Sequence, residues 1–174
     1  MSIATHNIKG LKDSVNSKQI LEHFHLQEID IIGLTETHHS NHQELFYKYQ
    51  NDYDTFWSNN SYQFSGVGCF IKKSWSKHIQ TIHCEHERYI YIDLYLKDKV
   101  KIKIFVIYLH ANPNQKNERL ELQKELSTYI SQALNKKFRV IVMGDFNANL
   151  DTYLFLIERI ILYLGNTNLP IFYQ

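Results

Sequence analysis

The sequence predicts an α/β fold, and three observations carry that expectation. Short apolar runs rich in β-branched residues alternate along the chain with segments whose apolar residues recur at helical spacing. Residues 89–96 have the two-residue period of a strand, residues 101–109 return as a second strand with a fully apolar second half, and Lys97-Asp98-Lys99 joins the two as a hairpin requires. Four of the runs give way to polar residues at their C-terminal ends, which is where an open α/β sheet carries ligands.

Composition sets the frame for the elements. A chain of 174 residues is long enough for one domain with a substantial core, and with 6 glycines and 2 prolines it contains no linker-like segment. Lys plus Arg (19) nearly balances Asp plus Glu (18), so any nucleic-acid contact has to come from a local patch rather than from whole-molecule charge. Cys69 and Cys84 are too few for a disulfide framework and are expected reduced and buried. Met1 leads into a strand pattern without a basic and apolar leader, so the expected setting is intracellular. The longest apolar stretch, residues 153–164, is short of a membrane span and contains Glu158 and Arg159.

In chain order, residues 3–8 read as a first strand that brings Asn7 to its end. Asn16 with Gln19 resembles a helix cap and its reciprocal partner, and Ile20, Leu21 and Phe24 then form one apolar face of a helix that ends near Gln27. Residues 29–34 form a second strand, broken at Gly33, that emits Glu36. The aromatic stretch 43–60 reads as a partly helical surface segment packed through its rings, in preference to a base-stacking platform. Residues 64–71 form a strand whose glycines, Gly66 and Gly68, allow another backbone to approach but lack phosphate-loop spacing. Residues 79–84 are a further strand.

The hairpin follows. Ile90, Ile92, Leu94 and Leu96 make its core face, Tyr89, Tyr91, Asp93 and Tyr95 its wetter face, and its second strand runs out into Tyr108-Leu109-His110. Beyond Asn114, Leu122, Leu126, Tyr129 and Ala133 fall within about 60° of one another on a helical projection, with Lys136 and Lys137 in the last turn, where the helix dipole favours cations.

The last strand, Val140-Ile141-Val142-Met143, leads to Gly144-Asp145-Phe146-Asn147. The glycine permits a sharp turn, so the Asp145 carboxylate and the Asn147 carboxamide project together. A carboxylate accepts a proton from water or holds a hard cation, and an amide NH2 binds an anionic oxygen, which suits a phosphoester. The same pattern is also that of an ordinary strand end with turn chemistry. Convergence of four such ends, at Asn7, Glu36, Tyr108 and Asp145 with Asn147, favours a site.

Five stretches in this order resemble the endonuclease/exonuclease/phosphatase superfamily, which includes DNase I and the apurinic and retrotransposon-type endonucleases. They are Thr5-His6-Asn7-Ile8-Lys9-Gly10-Leu11, the run from Asp30 to Thr37, Ser65-Gly66-Val67-Gly68, Ile107-Tyr108, and Gly144-Asp145-Phe146-Asn147. The opening Asn-x-x-Gly-Leu and the Ser-Gly-Val-Gly stretch resemble the apurinic and retrotransposon branch most. The resemblance implies a four-layered α/β sandwich of two mixed β-sheets, with the second sheet incomplete in this chain. It implies Asn7 and Glu36 as ligands of a divalent cation, Mg2+ or alternatively Mn2+. It further implies Asp145 as the residue that orients or deprotonates water, with Asn147 and Tyr108 binding phosphate oxygens as charge builds. The implied activity is in-line phosphodiester hydrolysis, by an endonuclease acting on DNA.

Two departures qualify the resemblance. Lys9 stands where some relatives carry an acid, and none of the 10 histidines lies in the Ser-Asp-His motif that ends the family's sequences. The expectation is therefore a C-terminally truncated form, with residues 1–150 as the N-terminal part of the family domain and 151–174 as a divergent apolar tail. Residues 153–164 of that tail either fill the place of missing strands or meet a protein partner. The alternatives to a nuclease are an impaired or inactive remnant with a binding role or none, and a hydrolase of small phosphoesters. His38 with His42 and His83 with His86 have ligand-like spacing but no accompanying zinc motif, so they read as surface histidines. Arg88 reads as a phosphate contact or as a surface ion pair with Glu85 or Glu87. Lys72, Lys73, Lys77, Lys101 and Lys103 read as scattered solvated lysines rather than as a DNA-facing patch.

Overall fold

Apolar alternation along the strands builds two sheets that face each other across one core. The computed structural model describes residues 1–10, 14–38, 52–58, 66–84 and 86–147. The first sheet contains β1 (Ile3–Asn7), β2 (Ile31–Thr35), β3 (Tyr53–Trp57) and β4 (Val67–Lys72) in the order β1-β2-β4-β3. The second contains β5 (Ile79–His83), β6 (Tyr89–Tyr95), β7 (Lys101–Tyr108) and β8 (Arg139–Asp145) in sequential order. Each sheet is mixed, because β1 with β2 and β7 with β8 pair in parallel while the other pairs are antiparallel.

Three helices complete the described chain: α1 (Ser14–Leu26), the short α2 (Lys73–Ser76) and α3 (Lys116–Asn135). Ile20 and Phe24 of α1 cover the outer face of the first sheet at Ile32, Leu34 and Phe70. Leu122, Leu126, Ile130 and Ala133 of α3 cover the second sheet at Phe105, Ile107 and Val140. Between the sheets lie Ile31, Val67, Cys69 and Ile71 on one side and Ile90, Ile92, Leu94, Ile104 and Val106 on the other. The result is the four-layered α/β sandwich expected from the sequence. Cys69 is buried, Cys84 is half-buried, and both are free thiols.

The hairpin forms as expected, with β6 and β7 in continuous register from Tyr89 opposite Ile107 to Tyr95 opposite Lys101. Its wetter face is drier than the alternation implies. Tyr89 is buried beneath α3 and donates its hydroxyl hydrogen to Glu125 at 2.8 Å.

Four local expectations are corrected. Tyr53–Trp57 is a strand rather than part of a helical segment, because Phe56 packs into the inter-sheet core while Tyr53 and Trp57 pack on the α1 side, a two-residue period. The earlier aromatics Phe46, Tyr47 and Tyr49 lie outside the described residues. Gly33 does not break β2. A side chain there would press on Val106 and Met143 of the facing sheet, so the glycine lets the two sheets close. Gly68 accommodates the ring of Trp57 rather than another backbone. Helix α1 begins at Ser14, so Asn16 sits inside its first turn instead of capping it. Residues 148–174, including the 150/151 boundary and the apolar stretch 153–164, lie outside the described residues.

Candidate active site

Parallel pairing brings the polar strand ends together. In β1/β2, Asn7 stands opposite Thr35, directly before Glu36; in β7/β8, Tyr108 stands opposite Asp145. Strands β1 and β8 are neighbours across the sandwich. Each sheet therefore contributes two polar residues to the same end of the molecule.

The turn after β8 depends on Gly144. Its φ is +130°, and a Cβ there would run into the carbonyl oxygen of Ile107. Only glycine allows β7 and β8 to approach closely enough for that turn. Left-handed backbone recurs around the site at Lys9 (φ 50°), Glu36 (φ 53°), His38 (φ 53°) and Asn147 (φ 44°). Such conformations cost about 1–3 kcal/mol each and accumulate where geometry matters more than stability.

The side chains form one hydrogen-bonded cluster. Asn7 Nδ2 donates to Glu36 Oε1 at 2.9 Å and to Asp145 Oδ2 at 2.7 Å, while its Oδ1 accepts from the Lys9 backbone N–H at 3.0 Å. The hydroxyl of Tyr108 also donates to Glu36 Oε1, at 3.0 Å. Asn147 donates its backbone N–H to Asp145 Oδ1 at 2.9 Å and its side-chain amide to the Leu109 carbonyl at 2.7 Å. All five residues expected from the sequence thus lie together, with Asn147 joined to the rest through Asp145. Burial, then the charge and hydrogen bond of Glu36, push the Tyr108 hydroxyl up to about 12, so it remains a donor.

Behind Tyr108 lies a layer that the sequence reading placed differently. Arg88 does face Glu87, with Nε 3.7 Å from Oε1, but it is only 9% exposed and its guanidinium lies 4.9 Å from the centre of the Tyr108 ring. It is therefore not a surface ion pair; Glu85 lies outside the described residues. His110, given no role in the sequence analysis, is also buried, and its carbonyl accepts from Arg119 at 3.5 Å. Burial, with Arg88 nearby, lowers the His110 pKa. Nothing local distinguishes His110 or Arg119 in the sequence except their nearness to Tyr108 and to the start of α3.

His83 and His86, both half-buried, stack on Tyr91 and Tyr89, with centroids 4.7 and 4.4 Å apart. His42 lies outside the described residues. Lys103 pairs with Asp93 at 2.6 Å and Lys72 with Asp30 at 3.7 Å, which withdraws both from any common basic patch. Among the described residues no group of three His, Cys, Asp or Glu is arranged to hold a metal.

The donors still suit a hard cation. Glu36 Oε1 is engaged by two hydrogen-bond donors, and Oε2 stands 3.8 Å from His38 Nε2. A carboxylate oxygen with water and phosphate to complete the shell is the donor chemistry Mg2+ accepts. The Asn7 carboxamide oxygen is turned to Lys9, so in this arrangement Asn7 holds the two carboxylates in place through its NH2 group.

Two mixed four-stranded sheets packed face to face, with helices on their outer faces, form an α/β sandwich of the DNase I-like class, and the carboxylate, amide and phenol cluster lies at one end of it. Residues 4–168 match the Endonuclease/Exonuclease/phosphatase family, and the chain belongs to that family. Comparison with curated proteins gives no match. Among solved structures, TDP2 from Caenorhabditis elegans superposes with a TM-score of 0.68 at 15% identity, covering 84% of this chain and 47% of that one. The human Nocturnin catalytic domain with bound sulfate anion gives 0.65 at 18% identity, covering 94% and 67%. D. rerio TDP2 complexed with single strand DNA product gives 0.60 at 20% identity, covering 86% and 61%. These likenesses establish the fold, and the chain spans about half the length of the first C. elegans structures it matches. No helix among the described residues is long and apolar enough to cross a membrane.

Proposed function

We propose that this chain is a divalent-cation-dependent phosphodiester hydrolase, with Mg2+ as the preferred cation, Mn2+ as the alternative, and DNA as the substrate. The observation that carries the reading is the single cluster formed by Asn7, Glu36, Tyr108 and Asp145 at the meeting of the two sheets. Glu36, assisted by Asn7, would hold the cation, which when bound offsets negative charge on the phosphate. Asp145 accepts a proton from the attacking water as the oxygen–phosphorus bond forms and the bond to the leaving ester oxygen breaks. Asn147 donates a hydrogen bond to a phosphate oxygen as its charge builds, and Tyr108 would do so by turning its one hydroxyl hydrogen, which rests on Glu36 before substrate binds, to the phosphate. DNA is preferred as substrate because a relative of the same fold was captured with a single strand DNA product.

The test is Mg2+-dependent nicking of supercoiled plasmid by the purified full chain, with Glu36→Ala and Asp145→Ala as controls. Nicking abolished by both substitutions supports the assignment. A folded protein that leaves both plasmid and small phosphodiesters intact overturns it in favour of a non-catalytic family member, while turnover of the small substrates alone moves it to a small-molecule phosphoesterase.

A further inference from the structure

We propose that Arg88 is a positioning residue for Tyr108: lying over the phenol ring, it holds the hydroxyl on Glu36. The inference rests on the proposed phosphodiesterase reaction for its consequence, but its geometry stands on its own. Arg88 lies just before β6, and its carbonyl accepts from the Tyr108 backbone N–H at 2.8 Å, which continues the β6/β7 ladder by one step. The two residues are therefore cross-strand neighbours, close enough for long side chains to meet. The guanidinium meets the ring at 4.9 Å, well inside the range of a cation–π contact.

Burial makes this contact consequential. A guanidinium removed from water needs compensation, and among the described residues the ion pair Arg88 makes is a 3.7 Å approach of Nε to Glu87, longer than a hydrogen bond. Arg88 Nε is buried and has no hydrogen-bond partner among the described residues. The π face of Tyr108 adds electron density on the guanidinium carbon, and the hydroxyl of that ring bonds the carboxylate of Glu36. A cation against the ring face also polarises the phenol and strengthens its O–H as a donor.

The backbone around Arg88 is fixed from both sides. Its N–H donates to His86 Nδ1 at 3.0 Å, and the Ser58 hydroxyl reaches the Glu87 carbonyl at 3.4 Å, tying this segment to the end of the other sheet. Tyr108 in turn shares Glu36 Oε1 with Asn7. A ring free to swing would leave that oxygen with one donor instead of two. Arg88 thus acts on the carboxylate through the ring between them.

The experiment is a double-mutant cycle on plasmid nicking with Arg88→Met and Tyr108→Phe, joined to a readout that needs no turnover. Arg88→Met alone is expected to lower kcat/KM on the order of tenfold, mostly in kcat, and to add little in the Tyr108→Phe background. Arg88→Lys, which keeps the charge but not the planar guanidinium, is expected to fall between wild type and Arg88→Met. Equal losses in both backgrounds would mean that Arg88 acts independently of Tyr108, and would overturn the proposal.

The second readout is the 19F signal of 3-fluorotyrosine at position 108, assigned by its loss in Tyr108→Phe. In the wild type, Glu36→Gln should move this signal, because the hydroxyl donates to Glu36; with Arg88→Met, or Arg88→Lys if the former does not fold, that sensitivity should shrink. Unchanged sensitivity overturns the positioning role even if the protein cleaves DNA. Lost sensitivity upholds it even if the proposed reaction fails, so the two readings fall separately.

Discussion

The carboxamide of Asn7 donates to Asp145 at 2.7 Å, joining residues 138 positions apart at the ends of strands in different sheets. The same NH2 group donates to Glu36, so one neutral side chain separates two carboxylates that would otherwise repel. Asn7→Asp replaces that donor with a third negative group. The variant is expected to lose on the order of 100-fold in nicking activity and roughly 1–3 kcal/mol of stability. Mg2+ should raise its melting temperature more than it raises that of the wild type, because a bound cation would relieve the new repulsion. Equal Mg2+ shifts by differential scanning fluorimetry would contradict this account.

Gly144 governs whether the site can assemble at all. With φ at +130° and the Ile107 carbonyl in the space of a Cβ, Gly144→Ala meets both backbone strain and a clash with main chain. The neighbouring strand cannot give way without breaking the β7/β8 ladder. Urea denaturation should show a loss of more than about 3 kcal/mol, or no folded protein, whereas alanine at exposed Thr81 should cost less than about 0.5 kcal/mol.

Much of this arrangement was legible in the sequence because it depends on local pattern. Strand period and the polar residues at strand ends were enough to find Asn7, Glu36, Tyr108, Asp145 and Asn147, and parallel pairing then brought them to one end. Packing between distant segments left weaker traces. Gly33 looked like an interruption because what matters there is Val106 and Met143 on the opposite sheet. Arg88 looked like a surface cation because its charged neighbour in sequence, Glu87, concealed a cross-strand relation to Tyr108. The strand Tyr53–Trp57 was hidden among aromatics whose alternation takes meaning only from the two different layers they enter.

Tyr108 offers a prediction in which its protonation state matters. Its pKa, raised from 10.0 to about 12 by burial and by Glu36, keeps the hydroxyl protonated throughout the working range. The nicking rate should therefore show no alkaline limb from this residue below about pH 10. Tyr108→Phe should lower kcat by roughly 10- to 100-fold while leaving the circular dichroism spectrum unchanged, since only the hydroxyl is removed from a ring that stays packed. A falling limb near neutral pH that disappears in Tyr108→Phe would show that the hydroxyl ionises during the reaction.

The histidines predict a loss of stability on the acid side. His6, His86 and His110 all have pKa values lowered from 6.5, each chiefly by burial, and at His110 the Arg88 charge adds to the effect. In the unfolded chain these groups take up protons as pH falls through 6.5, while in the folded chain they resist until lower pH. Between those points the unfolded state binds more protons, so their contribution to stability is present above about pH 6.5 and declines as the pH falls through the lowered values. Denaturation midpoints measured from pH 7.5 to 5 should therefore drop. His110 is the most buried of the three and lies beside Arg88, so His110→Gln should flatten this dependence most. Because Glu36 and Asp145 remain in that variant, a slope left unchanged would assign the acid sensitivity to the carboxylates rather than to the histidines.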